Sequence, residues 1–422
     1  MASVTQRPRV LIYSHDSFGL GHLRRCRAIA HAMVGAVDNL TVLILSGSPI
    51  IGSFDFRARV DFVRVPGVIK LRNGEYTSLN LLLDTDQTMA MRASIIQHTA
   101  DIFDPDIFLI DKEPLGLRGE VRETIEMLKA RGTRIILGLR DVMDDPVLLK
   151  PEWRRKKVVP ALRDLYDEIW VYGLPQVHDP LAEIDVPQSV RRKMVYTGYL
   201  ERTVPQMPPA APLPEGITKP FVLVTTGGGG DGEALVDWVL KAYESPMAPE
   251  IPALIVFGPF MQPEAKAEFQ ERVEKLKSVS AITFDAHMEA LMSAASAVVA
   301  MGGYNTFCEI LSFDKPALIV PRQMPRREQL IRASRAQELG LIAMLTEDKA
   351  ALPDAMATAI RQLMQQRRPS QVVVPGLLDG LENVNRLVMM HLAEGREAPG
   401  TPHAVRQGRL TVAAGDQRST GR

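Results

Sequence analysis

Short runs of β-branched and aliphatic residues alternate along this chain with longer amphipathic stretches, and that rhythm admits few folds. The first runs are RVLIYS from Arg9, TVLILS from Thr41, VDFVRV from Val60, DIFLID from Asp106, RIILGLR from Arg134, EIWVYG from Glu168 and KMVYTG from Lys193. Runs so short and so continuously apolar suit strands covered on both faces, as in a parallel sheet flanked by helices. A doubly wound α/β domain is predicted over 8–200. The stretch 201–219 is rich in proline and has no aromatic residue, so it reads as a linker. The rhythm resumes with FVLVTT from Phe221, ALIVFG from Ala253, AITFD from Ala281, AVVAM from Ala297, ALIVP from Ala317 and LIAML from Leu341. A second α/β domain is predicted over 220–395, closed by the helical pattern LENVNRLVMMHLAEG from Leu381. From 396 to 422 large apolar residues are few, and a disordered tail is expected.

The fold class expected is therefore α/β, with two Rossmann-like doubly wound domains. Their strand C-terminal ends, which carry the loop clusters, should face each other across a cleft. A length of 422 residues agrees with two cores rather than one. Fifty Lys+Arg balance fifty Asp+Glu, which argues against a nucleic-acid partner. Two cysteines, Cys26 and Cys308, can supply neither a disulfide framework nor a cysteine-based metal knuckle. The apolar run near the N-terminus is cut off by His15 and Asp16, and no apolar span reaches the roughly 20 residues of a membrane helix. A cytoplasmic protein is expected.

Three loops carry the chemistry. The first strand runs into Ser14-His15-Asp16-Ser17-Phe18-Gly19-Leu20-Gly21-His22 ahead of a helical stretch. A Gly-x-Gly turn there lets backbone N–H groups approach an anion. The third glycine of the dinucleotide fingerprint is replaced by Arg24, and the second strand ends in Ser46-Gly47-Ser48 without a ribose-binding acid, which disfavours NAD or FAD. The second domain opens with Gly227-Gly228-Gly229-Gly230-Asp231-Gly232. No Lys-Ser/Thr pair follows, so a Mg-nucleotide triphosphatase loop is excluded, leaving a diphosphate-facing loop or a tight strand-to-helix turn. The third constellation spans 297–341: a strand ending in Gly302-Gly303, a helix starting near Asn305-Thr306 with Glu309, and a Pro-Arg-rich loop leading to Glu328-Gln329. Thr306-x-x-Glu309 also fits a capping box. The five arginines from Arg322 to Arg335 suit either a diphosphate leaving group or a solvated helix face.

The third segment resembles the donor-binding half of GT-B glycosyltransferases, and is most similar to the MurG-type enzymes of family 28 that use UDP-sugars. The Gly227 loop and the Gly19-Leu20-Gly21-His22 loop fall in matching places, so in layout the resemblance covers about 8–395. It implies that Glu309 binds ribose hydroxyls, and that Gly302, Gly303, Asn305 and Thr306 meet the diphosphate with Gly228, Gly229 and Gly230 on its other side. Phe284, Asp285 and Met288 would offer backbone groups to the nucleobase, and Glu328 and Gln329 would hold hydroxyls of the donor sugar. Arg322 joins this donor-binding set. His22 matches the loop histidine that assists the acceptor. The family works without a bound metal ion, so no metal and no cofactor is implied beyond the nucleotide sugar itself.

Sugar transfer needs a base near the acceptor hydroxyl and charge stabilisation on the departing diphosphate. His22 is the first candidate base, with His15 and Asp16 as competitors; a His at a helix start can equally be a cap-region residue. Gly19 and Gly21, with Asp111, Lys112, Glu113 and Arg140 at the ends of later strands, are acceptor-side candidates, although loops are polar in any case. Trp153-Arg154-Arg155-Lys156-Lys157, among Leu148, Leu149, Val158 and Val159, reads as a solvated helix or as a surface for anionic lipid headgroups. The function expected is an inverting, metal-independent transfer of a sugar from a nucleotide donor, UDP-linked, to a glycan or lipid-linked acceptor of the cell envelope. Peripheral contact with the inner face of the membrane is an accompanying expectation. A nucleotide-sugar epimerase or hydrolase, and a non-catalytic nucleotide-sugar-binding protein, stay open as alternatives.

Overall fold

The computed structural model describes residues 7–15, 21–70, 76–204, 217, 220–228, 230–283 and 288–395. Most of the expected linker (205–216, 218 and 219) and the expected tail (396–422) lie outside the described residues.

Seven parallel strands form the amino-terminal sheet: β1 (Arg9–Ser14), β2 (Thr41–Ser46), β3 (Val60–Arg64), β6 (Ile107–Asp111), β7 (Arg134–Arg140), β8 (Glu168–Tyr172) and β9 (Met194–Tyr196). A short antiparallel hairpin, β4 (Val68–Lys70) with β5 (Tyr76–Ser78), stands apart from it. Six parallel strands form the second sheet: β10 (Val222–Thr225), β11 (Ala253–Val256), β12 (Val279–Ile282), β13 (Ala297–Ala300), β14 (Ala317–Ile319) and β15 (Ala343–Met344). The orders are β3-β2-β1-β6-β7-β8-β9 and β12-β11-β10-β13-β14-β15. Val10, Leu11, Ile12 and Tyr13 of β1 are all buried, on both faces, as a strand in a two-sided parallel sheet must be. In each sheet the order reverses beside the first strand, between β1 and β6 and between β10 and β13. That reversal opens a crevice at the strand C-terminal ends, where α/β sheets take ligands. The expected two-domain α/β architecture is therefore the one the chain adopts.

Strand ends shift by one or two residues in places, and three differences have a physical reason. The strand expected from Ala281 is β12, beginning at Val279, because parallel pairing with Ala253–Val256 of β11 fixes its start. The β4–β5 hairpin was not anticipated, since three-residue strands carry no readable period. The helix Gly380–Glu394, expected to close the second domain, instead packs on the first-domain helix Gly21–Ala36. His391 there stacks on Trp170 with ring centroids 6.5 Å apart and meets Glu168 at 3.1 Å. Its buried Val384, Leu387 and Val388 belong to a core cluster that includes residues of both sheets. Periodicity marks an apolar face but not the surface it will cover.

Buried polar contacts add to this shared core. Arg332, 1% exposed, donates to both oxygens of Asp141 at 2.6 and 2.5 Å and to the Gly302 carbonyl at 3.0 Å. Tyr199 donates to the same Asp141 carboxylate at 2.8 Å. Closer to solvent, the partly exposed Arg326 reaches Asp144 at 2.8 Å and Glu152 at 2.7 Å, and the exposed Arg327 reaches Asp145 at 3.2 Å.

Candidate active site

The crevices of the two sheets meet in one cleft of about 340 Å³. Its amino-terminal wall is Gly21, His22, Arg24, Arg25, Phe54 and Arg140; the opposite wall includes Thr225–Gly228, Asp231, Gly302–Thr306, Glu309, Arg322, Glu328 and Gln329, with Met288 beside them. Most of the described candidate residues therefore converge from distant parts of the chain. Asp16, Gly19, Gly229, Phe284 and Asp285 lie outside the described residues.

His22 is the second residue of the Gly21–Ala36 helix, which starts at the β1 switch point. Its Nδ1 lies 2.5 Å from Oδ2 of Asp111, the last residue of β6, and 3.0 Å from an amino group of Arg25. One nitrogen cannot donate to the carboxylate and accept from the guanidinium together. The closer partner decides it, and the Arg25 amino group already donates to the same carboxylate at 2.6 Å: Nδ1–H donates to Asp111, and Nε2 carries no proton. Burial pushes the imidazole below its ordinary pKa against the pull of Asp111, so the neutral ring is favoured. Asp111 was expected on the acceptor side. It sits instead behind the ring, 1% exposed, with Arg25 donating to its two oxygens at 2.8 and 2.6 Å. Despite its burial, Arg25 and His22 hold its carboxyl well below the usual range. It is a positioning group, and the Arg25 that anchors it gave no sequence signal beyond its charge.

His15, the competing base, does not line the cleft. It is 8% exposed, 3.5 Å from the Tyr13 hydroxyl, and burial pushes its pKa down to about 3. Glu113 is also set back, paired with Lys156 at 2.9 Å.

On the opposite wall the Tyr304–Ser312 helix begins right after Gly302 and Gly303, with Gly303 as its N-cap and no side-chain capping bond. The capping-box reading of Thr306 and Glu309 thus does not hold, because both lie inside the helix. Glu309 is buried and points across the cleft, where Arg24 donates to it; Arg24 also meets Glu289 at 2.8 Å. Burial lifts the Glu309 carboxyl above its ordinary range; Arg24 opposes the rise and Glu289 adds to it. Neither the Arg24 contact nor the role of Glu289 was legible in sequence. Asn305 donates to the Gly21 carbonyl at 2.9 Å, tying the two loops together.

Two of the glycines are explained within the chain. A Cβ on Gly232 would lie 2.2 Å from the Thr226 Cβ, and Gly302 has φ +79° with Ile319 Cγ2 2.7 Å from a built Cβ. Beyond its chain neighbours, Gly303 has no heavy atom of the described residues within 4 Å of its built Cβ, and Gly228 meets Phe260 alone among them at 3.4 Å, so packing among the described residues does not require glycine at either. Of the five arginines expected beside the diphosphate, only Arg322 lines the cleft, paired with Asp231 and, at 2.7 Å, with Glu328. Arg326, Arg327 and Arg332 clamp the two domains as described above, and Arg335 bonds the Gln176 carbonyl at 2.8 Å and Glu338 at 2.6 Å. Gln329 accepts from the Arg322 backbone N–H at 2.9 Å, and Glu328 Oε2 is buried without a partner among the described residues.

Residues 221–372 match the model of the glycosyltransferase family 28 C-terminal domain. A protein of Methanosarcina acetivorans named an uncharacterized glycosyltransferase is 26% identical over 205 residues, 47% of this chain and 50% of that protein. The chain thus spans about half the length of the curated relative it matches. Among solved structures, Acinetobacter baumannii MurG is similar at 13% identity and a TM-score of 0.54, covering 91% of this chain and 99% of that one. The calicheamicin glycosyltransferase CalG4 gives 13% and 0.59, covering 92% and 99%. A Listeria monocytogenes structure described as a UDP-N-acetylglucosamine 2-epimerase gives 14% and 0.61, covering 92% and 98%. The chain has the GT-B fold, and over residues 221–372 it is similar to the C-terminal domain of glycosyltransferase family 28.

Proposed function

We propose that this protein transfers a sugar from a nucleotide donor, UDP-linked, to a glycan or lipid-linked acceptor, with inversion at the anomeric carbon. The observation that carries the reading is the meeting in one cleft of an oriented neutral histidine from the first domain with Glu309 and the Gly302–Gly303 helix start from the second. In the reaction the acceptor oxygen forms a bond to the anomeric carbon while the bond from that carbon to the diphosphate breaks. The bonding pair leaves with the diphosphate, and the acceptor proton passes to Nε2 of His22. A single displacement of this kind inverts the configuration.

The chain offers what the leaving group needs. Backbone N–H groups at the start of the Tyr304–Ser312 helix, with its dipole, favour the diphosphate, and Arg322 adds a cation. No metal ion or cofactor is needed in this reading. Glycine at 228 and 303, which folding leaves unexplained, permits close approach of phosphate to backbone. Glu309 would accept two hydrogen bonds from the ribose diol once Arg24 yields it, and Glu328 Oε2 and Gln329 would face the donor sugar. Trp153, Leu149 and Val158, expected on a lipid-facing surface, are buried in the first-domain core, so what supports peripheral contact with an anionic membrane is the exposed Val147 and Leu148 of the helix Pro146–Arg155 with Arg154 and Arg155 in its last turn.

The test is acceptor-dependent release of UDP from UDP-sugars over a panel of glycan and lipid-linked acceptors, abolished by Glu309→Ala. Donor turnover without acceptor would favour the epimerase or hydrolase alternative, for which the fold of the Listeria structure is the supporting observation. Binding of UDP with no turnover in either arm would favour a binding protein.

A further inference from the structure

One aromatic ring on the cleft wall is not used by the core. Phe54 follows the short helix Ile51–Ser53 after β2, its backbone N–H donating to the Ile51 carbonyl at 3.3 Å, and the half-buried residue lines the cleft. Among the described residues Phe54 joins none of the core clusters. Phe56, two residues on, packs against one of them and meets the Phe62 ring at 5.1 Å between centroids. The Phe54 ring is nevertheless held in place. The Arg27 guanidinium lies over it, 5.1 Å from the centroid, and donates to the neighbouring Asp55 carbonyl at 3.3 Å. A guanidinium covers one face of a ring, and among the described residues no second ring or cation covers the other.

The surrounding groups fix where this ring stands along the nucleotide site. The diphosphate falls at the start of the Tyr304–Ser312 helix, and Glu309, the ribose acceptor, is on the second turn of that helix. One amino group of Arg24 donates both to Glu309 and to Glu289, so the two carboxylates stand side by side. Glu289 follows Met288, the cleft-lining first residue of the helix Met288–Ala294. Arg27 lies one turn beyond Arg24 on the Gly21–Ala36 helix, which brings the ring it covers to the same corner. In a nucleoside diphosphate the base is on the far side of the ribose from the phosphates. A ligand with its diphosphate on the helix start and its ribose on Glu309 therefore carries its base on toward Phe54 and Met288.

We propose that Phe54 stacks on the nucleobase of the donor, so that the base is enclosed by both domains, with Phe54 from the first and Met288 from the second. A ring already fixed by Arg27 loses little freedom when a planar ligand settles on its open face. This deepens the transferase reading and rests on its nucleotide donor.

Calorimetric titration of the wild type, Phe54→Ala and Phe54→Trp with UDP, and with inorganic pyrophosphate, which lacks a base, tests it. Phe54→Ala should weaken UDP binding about tenfold, the loss of one base–aromatic stack, and leave pyrophosphate affinity unchanged. Its melting temperature should stay close to that of the wild type, because the core does not use the ring. Phe54→Trp should bind UDP at least as tightly as the wild type, and UDP but not pyrophosphate should quench the emission of the introduced indole. Equal UDP affinity in Phe54→Ala and the wild type overturns the proposal while leaving the nucleotide reading standing, and would give this wall to the acceptor. An equal loss of pyrophosphate affinity overturns it as well, since the change would then act at the diphosphate. So does UDP binding to Phe54→Trp that leaves the indole emission unmoved. A wild type that binds no UDP, GDP or TDP overturns the nucleotide reading itself, and this inference with it.

Discussion

At the scale of single residues, the imidazole of His22 and the carboxylate behind it make separable predictions. His22→Ala should lower kcat by about 10²-fold or more, the usual worth of a general base, with nucleotide affinity unchanged. Asp111→Asn removes the group that fixes the Nδ1–H tautomer, and should lower kcat while moving the acid limb of the pH–rate profile to lower pH, because Asp111 is what raises the imidazole against burial. It also strands the buried Arg25, so a stability loss of about 3–5 kcal/mol should accompany it in denaturant titrations. His15 offers a test that involves no catalysis. Its folded pKa of about 3 lies below the ordinary value of 6.5, so its neutral form is the one the fold accommodates. That contribution is whole above pH 6.5 and is lost as pH falls toward 3, at up to about 1.4 kcal/mol per pH unit. The slope of unfolding free energy between pH 6.5 and 5 should therefore be shallower in His15→Gln than in the wild type; an equal slope would mean the burial of His15 is unimportant.

At the scale of elements, the two glycines that open the Tyr304–Ser312 helix should behave oppositely. Gly302→Ala places a Cβ against Ile319 in a left-handed conformation, and should destabilise the protein by at least about 1 kcal/mol. Gly303→Ala meets no atom of the described residues beyond its chain neighbours within 4 Å, and should leave the melting temperature nearly unchanged while weakening UDP binding. Equal UDP affinity in Gly303→Ala and wild type would remove the diphosphate from this helix start. The same contrast shows what sequence could convey. The βα rhythm located β1, β2 and β7 to the residue, because continuous apolar runs with both faces buried have few other uses. The glycine pairs were visible too, but nothing local separated a glycine required by packing from one left open to a ligand. Glu309 stood out for its neighbours, yet its partner Arg24 lies 285 residues away, and pairing over that span has no local signature. The arginines of the Pro-Arg loop pointed toward anions; the anions were Asp141, Asp144 and Asp145, a run of acids beyond β7 whose complementarity emerges only when the domains meet.

At the scale of the molecule, the cleft is bridged before any substrate enters it. Deep in the interface Arg332 binds Asp141 and the Gly302 carbonyl, so Arg332→Ala leaves a buried carboxylate uncompensated and loosens the helix start together. A loss of about 3–5 kcal/mol is expected, with weakened UDP binding in the folded fraction. Nearer the opening, Arg24 grips Glu309 and Glu289 from across the cleft. If Glu309 is the ribose acceptor, this contact competes with the donor, and nucleotide binding must first exchange a charge-assisted hydrogen bond between domains for one to the ligand. Arg24→Ala frees the carboxylate and should tighten UDP binding about fivefold to tenfold, equivalent to roughly 1–1.4 kcal/mol, when measured by calorimetry. The gain should shrink in Arg24→Ala/Glu309→Gln, where the carboxylate is gone and the competition with it. Weaker UDP binding in Arg24→Ala would reverse the assignment, making Arg24 a ligand contact in its own right and the pair with Glu309 a resting place for a side chain that turns to the phosphates once they arrive.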